Sequence, residues 1–208
     1  MSTITQIKPQ KNNKRVNIYL DGKFGFGLDL ESLMTLSLKA GTELTEDKIQ
    51  EIVKKAEFQK TLDKLLKFAT LRPRSEKEIR DWFRRKKVHE SLTPKLFERL
   101  TRIDLVDDKK FAEWWVGQRL QFKFKSKRDL ENELRMKGVN RDIVSQVISE
   151  LVSQEDEVRM AKELLEKRKY RWERLPRLEA EKKMSEYLAR KGFNWEIIRK
   201  LVKVHDDY

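Results

Sequence analysis

Three short blocks, RRKKV at 84–88, RMKGV at 135–139 and ARKGF at 189–193, superpose with Lys87, Gly138 and Gly192 in register, 51 and 54 residues apart. An amphipathic stretch precedes each block: Ile79, Trp82 and Phe83, then Leu130 and Leu134, then Met184, Tyr187 and Leu188. A cap and a further apolar-periodic stretch come after each one, opened by Thr93, Asn140 and Asn194. Self-similarity at this spacing means stacked supersecondary units, each too small to bury its apolar face alone. The pattern predicts three tandem three-helix repeats in a mostly α, elongated array.

Local signals place the helices. Thr45 caps a long helix carrying Ile49, Ile52, Val53, Ala56, Leu62, Leu65, Leu66 and Ala69. Pro73 ends it by forcing Arg72 out of the helical region. Ser75 and Glu78 have capping-box spacing, and Thr93-Pro94 reads as an N-cap followed by proline at the first helical position. Asp107 or Asp108 caps a helix whose face holds Phe111, Ala112, Trp115, Val116 and Leu120, all expected in the core. Ser126 caps the next. Gly138 and Gly192 suit a left-handed helix end, where a residue without Cβ meets no steric penalty. Lys87 lacks that freedom, so the first unit is expected to end its helix differently.

The first 44 residues have another period. Val16, Ile18 and Leu20 alternate with polar neighbours, and Asp21-Gly22 is a hairpin turn signal. A second strand comes next with Phe24, Phe26 and Leu28 on one face; Ile4–Ile7 adds a third, and ESLMTLSL a short helix. So small a sheet needs support from the helical part of the chain. The expected divisions are 1–44 for this β-rich extension, then repeats at 45–107, 108–153 and 154–208.

Charge indicates the partner. Lysine and arginine number 48 against 35 acids, a net +13, which favours an anionic partner. The cations gather at the turn between the first two helices of each repeat. These are Arg72 and Arg74 in the first; Arg119, Lys123, Lys125, Lys127 and Arg128 in the second; and Lys167, Arg168, Lys169, Arg171, Arg174 and Arg177 in the third. One such joint reads as solvated surface, but three equivalent joints project onto one side of a repeat array. On the residues alone both readings stand. In the second joint Phe122 and Phe124 interleave with Lys123, Lys125 and Lys127, which are expected to face outward with Arg128.

Chemistry-bearing residues are few. There is no cysteine, hence no thiolate metal site, and the two histidines, His89 and His205, are not spaced as ligands. The seven glycines form no phosphate-binding loop. No apolar run approaches a spanning helix, and the first residues lack a signal-peptide core. The expectation is a cytoplasmic protein that is not an enzyme and needs no cofactor. With no heptad seam and a self-repelling charge, a monomer is expected.

LLKFATLRPRSEKEIRDWFRRKKV and LVDDKKFAEWWVGQRLQFKFKSKRDLENELRMKGV together resemble the bacterial RecX family, regulators of the RecA recombinase. The resemblance rests on Arg72-Pro-Arg-Ser75, Asp107-Asp108-x-x-Phe111-Ala112, Arg119, and Glu133-Leu134 with Lys137-Gly138-Val139. KRVNIYLDGKFGFGLDL is similar to the N-terminal extension of longer members. Two departures stand out: Lys87 replaces an expected glycine, and Lys125 sits where the joint often carries one. The resemblance implies a non-enzymatic protein that lies in the groove of the RecA filament on single-stranded DNA and restrains its ATP hydrolysis and strand exchange. The alternative is direct DNA binding by helix-turn-helix-like units. Arg72, Arg74, Arg119, Lys123, Lys125, Lys127, Arg128, Lys167, Arg168, Lys169 and Arg171 are the candidate contact residues.

Overall fold

The structure, a computed structural model, describes residues 1–11 and 13–202; His205 lies outside the described residues. The chain divides into two compact units, residues 1–71 with 87–100 and residues 72–86 with 101–208.

In the first unit, β1 (Ser2–Pro9), β2 (Arg15–Leu20), β3 (Lys23–Asp29) and β4 (Glu43–Leu44) form an antiparallel sheet in the order β3-β2-β1-β4. Asp21 and Gly22 both take positive φ, 48° and 78°, as the two-residue hairpin requires. Beyond that turn the register shifts: Ile18 faces Phe26 but Tyr19 faces Phe24, leaving Gly25 as the extra residue of a bulge. A bulge re-aims the side chain beside it. Phe24, expected beside Phe26 and Leu28, therefore packs edge-on against Tyr19 and is 60% exposed.

Asp29 caps α1 (Leu30–Thr35) and Thr45 caps α2 (Glu46–Ala69), each accepting a first-turn N–H. Ile4, Val16, Ile18, Phe26 and Leu28 close a core with Ile52 and Ala56 of α2, which is the support the small sheet needed. In this unit α4 (Thr93–Arg102) buries Leu96 and Leu100. Thr93 lies inside α4 and not at its cap, because a 3-10 turn at Glu90–Leu92, capped by His89, precedes it.

The second unit contains α3 (Glu76–Arg85), α5 (Asp108–Phe122), α6 (Lys127–Met136), α7 (Arg141–Leu151), α8 (Gln154–Glu166), α9 (Arg177–Arg190) and α10 (Trp195–Leu201). Its core gathers Phe111, Ala112, Val116, Leu130, Leu134, Val144, Ile148, Met160, Leu188 and Ile198. Fully burying a large apolar side chain contributes about 1.5–3 kcal/mol, so the core dominates the unit's stability. Trp115 and Leu120, expected in that core, pack at its edge and are half-buried. Trp172 is buried against Tyr187, ring centroids 5.8 Å apart, and anchors the chain between α8 and α9.

The three aligned positions share one conformation. Gly138 and Gly192 take φ of 84° and 81°, and Lys87 takes 51°. The first repeat therefore ends its helix as the others do, contrary to the sequence expectation, and a lysine bears the left-handed strain.

Candidate functional site at the helix joints

The joints are built from a hydrogen-bond pattern that occurs twice. Ser75 accepts the Glu78 N–H as the cap of α3, and its hydroxyl donates to the Lys137 carbonyl, 2.8 Å away at the end of α6. One repeat later, Ser126 accepts the Asp129 N–H and donates to the Lys191 carbonyl at the end of α9, again at 2.8 Å. Both serines are completely buried. The flanking contacts also repeat: the Glu76 N–H donates to the Asp108 carboxylate, and the Lys127 N–H to the Glu157 carboxylate. Each left-handed glycine lies against the matching cap segment. A Cβ on Gly138 would stand 2.6 Å from Lys77 Cβ, and one on Gly192 2.7 Å from Ser126 Oγ.

Around the first seam the cations are paired internally. Arg72 donates to both oxygens of Glu78, at 2.8 and 3.0 Å, and Lys137 reaches the same carboxylate at 2.9 Å. The Arg72 guanidinium also lies over the Trp114 and Phe111 rings, 5.0 and 5.8 Å from their centroids. Burial pushes the Glu78 carboxyl up, but the hydrogen bonds from Arg72 and Lys137 outweigh it and hold the group below the usual glutamate range. Glu78 was expected to complete a capping box; its carboxylate serves this ion cluster instead. Arg74 is 8% exposed, 3.8 Å from Glu78, and burial draws it below the ordinary arginine range.

The second joint has a similar centre. Glu133 accepts from Arg119 Nε at 2.7 Å and from the Trp115 indole N–H at 2.8 Å, while Lys125 stands 3.5 Å away. Arg119 and Lys137 both lie over the Trp115 ring, at 4.1 and 4.9 Å. Burial again raises the Glu133 carboxyl, and its bonds to Arg119 and Trp115 bring it below the usual range. Lys125 also meets Asp129 at 3.4 Å, and Lys127 lies 3.8 Å from the buried Glu157. Lys125 and Lys127, expected to face outward, are therefore half-buried in ion pairs.

The remaining candidates are placed differently. Lys123, Arg128, Lys167, Lys169 and Arg171 are exposed or half-exposed, and among the described residues no carboxylate pairs with them. Arg168 lies over the Tyr187 ring at 4.8 Å. Lys167 Nζ sits 4.1 Å above the Phe124 ring, which joins the third joint to the second. Arg128 Cβ would be 3.4 Å from a Cβ at Gly192, placing it at the same seam. Arg177 pairs with Glu181. The eleven sequence candidates thus separate into five held by internal carboxylates and six that are not.

Sequence reasoning missed the carboxylates that make this division. Glu133 lies in the Glu133-Leu134 motif, and Glu78 sits three residues after its cap serine as Asp129 does after Ser126. That equivalence was the available signal. Among the described residues no group of three or more side chains could hold a metal ion, and no helix is long and apolar enough to cross a membrane.

Fold and joints define a class: a basic, largely helical repeat protein with a β-rich N-terminal piece and charged seams. Family comparison is specific. Residues 2–45 match the regulatory protein RecX N-terminal domain, 107–148 the second RecX three-helix domain and 155–202 the third. A "Regulatory protein RecX" of Bacillus pumilus is 34% identical over 212 residues, covering 98% of this chain and 77% of that one. Its counterpart in Listeria welshimeri is 33% identical over 190 residues, covering 91% and 70%. A Listeria monocytogenes relative is 38% identical over 141 residues, 68% of this chain but 52% of its own. A crystal structure of regulatory protein RecX superposes with a TM-score of 0.73 at 26% identity, over 98% of this chain and 99% of that one. The chain belongs to the RecX family.

Proposed function

We propose that this chain is a non-enzymatic regulator that binds the RecA–DNA filament and modulates its ATPase and strand-exchange activities, in the direction of inhibition. The observation that carries the reading is the set of six cations at the second and third joints that, among the described residues, no carboxylate neutralises. A filament groove offers protein carboxylates and DNA phosphates, and an unneutralised cationic edge is complementary to both. Arg72, Arg74, Arg119, Lys125 and Lys127 contribute differently: they set the joint geometry through Glu78, Glu133 and Glu157, so that the open cations are presented on ordered turns.

The test is RecA ATP hydrolysis on single-stranded DNA, titrated with the full chain. Inhibition that saturates as the chain covers the filament supports the reading. Hydrolysis unchanged at saturating chain, with no chain bound to the filament, overturns it.

A further inference from the structure

Three of the described helices begin on a serine with an acid three residues on: α3 at Ser75-x-x-Glu78, α6 at Ser126-x-x-Asp129 and α8 at Ser153-x-x-Asp156. Three end on a lysine followed by a left-handed residue: α3 at Lys86-Lys87, α6 at Lys137-Gly138 and α9 at Lys191-Gly192. The seams use two members of each set, Ser75 on Lys137 and Ser126 on Lys191. One start and one end are left over. Ser153 is exposed where Ser75 and Ser126 are buried, and its hydroxyl donates to Asp156 Oδ2 at 2.9 Å instead of to a carbonyl. Lys86 and Lys87 are likewise exposed. The leftover pieces are opposite in charge, with Arg85, Lys86 and Lys87 at the spare end and Glu155 and Asp156 in the first turn of the spare start. A chain that carries both halves of an interface, unmatched, can join copy to copy without closure.

The residue after the lysine decides whether it does. In both seams that residue is glycine, and the docked start comes so close that a Cβ would stand 2.6 Å from Lys77 Cβ at the first and 2.7 Å from Ser126 Oγ at the second. Lys87 has the same left-handed backbone, with φ of 51°, and carries that Cβ. A serine cap cannot then settle on the Lys86 carbonyl as it does on Lys137 and Lys191, and attraction between exposed charges is too weak to offset the clash. We infer that Lys87 is the residue that ends the array: it denies the α3 end to the Ser153 start of a second copy of this chain, the one unused start of matching chemistry among the described residues, and so prevents head-to-tail self-association.

Sedimentation velocity of the full chain over a wide concentration range tests this. Wild type should stay a single monomeric species. Lys87→Gly should associate, its mean sedimentation coefficient rising with concentration and falling back when salt screens the exposed charges. Lys87→Ala separates shape from charge: it loses the ammonium group but keeps the Cβ, and should sediment like wild type. Lys87→Gly combined with Ser153→Asp should also stay monomeric, because aspartate caps a helix as well as serine does but is an acceptor only. Both positions are exposed, so thermal melting at low concentration should show every variant folded. Self-association of wild type, Lys87→Gly remaining monomeric, Lys87→Ala associating as readily as Lys87→Gly, or the combined variant still associating each overturns the inference.

Discussion

The Ser75 hydroxyl donates to the Lys137 carbonyl across 62 residues of sequence, and one repeat later Ser126 does the same to Lys191 across 65. Each serine accepts a first-turn N–H of its own helix and closes the last turn of another, so two helix termini are satisfied by one buried oxygen. Replacing either with alanine removes a cap and takes the hydroxyl donor from a part-buried helix-end carbonyl. Ser75→Ala and Ser126→Ala should each cost about 2–3 kcal/mol in urea denaturation. A loss below about 0.5 kcal/mol would mean the seam is not what fixes the repeats.

Lys87 and Gly138 should respond in opposite directions. Lys87 bears left-handed strain of about 1–2 kcal/mol, part of which glycine returns as chain entropy. Lys87→Gly should therefore stabilise by about 1 kcal/mol. Gly138→Ala adds the same strain and drives a Cβ to 2.6 Å from Lys77 Cβ, so it should destabilise by about 2 kcal/mol or more. Thermal melting of both variants checks the pair.

Acidification should act through the seam carboxylates. Glu78 and Glu133 are held below their unfolded value of about 4.3. Their contribution is fully present above that pH and is lost as pH falls through the folded values. Asp108 is shifted up by burial, so its ionisation costs stability above its folded value and that cost disappears on acidification. The two glutamates outnumber it, and net stability should decline below about pH 4. Glu78→Gln should be less stable than wild type at about pH 7, by about 2 kcal/mol, and the difference should narrow as the pH falls from about 4 toward about 3. A constant difference across that range would contradict the assignment.

Much of this arrangement was legible in the sequence because it rests on local physics. Caps at Thr45, Ser75, Asp107, Ser126, Asn140 and Asn194, the Asp21-Gly22 turn and the glycine helix ends are set within a few residues. What escaped is non-local. The bulge at Gly25 that exposes Phe24 depends on pairing between strands, and Trp115 is half-buried because its indole N–H turns to Glu133. Lys125 and Lys127 looked outward-facing because a run of cations gives no sign of carboxylates brought in by other helix turns. The left-handed lysine at 87 shows the same limit: residue type argued against a conformation that the helix end required.

Co-sedimentation with RecA–single-stranded DNA filaments decides whether the joint cations left without a carboxylate among the described residues are the ones that meet the partner. Wild type is compared with a variant carrying Lys123→Glu, Arg128→Glu, Lys167→Glu, Lys169→Glu and Arg171→Glu, and with Arg72→Glu alone. The fivefold variant should melt close to wild type, since exposed charges add little to stability, and should fail to pellet with filaments. Arg72→Glu should melt lower by disrupting the Glu78 cluster. Filament binding by the fivefold variant at wild-type level would contradict the account.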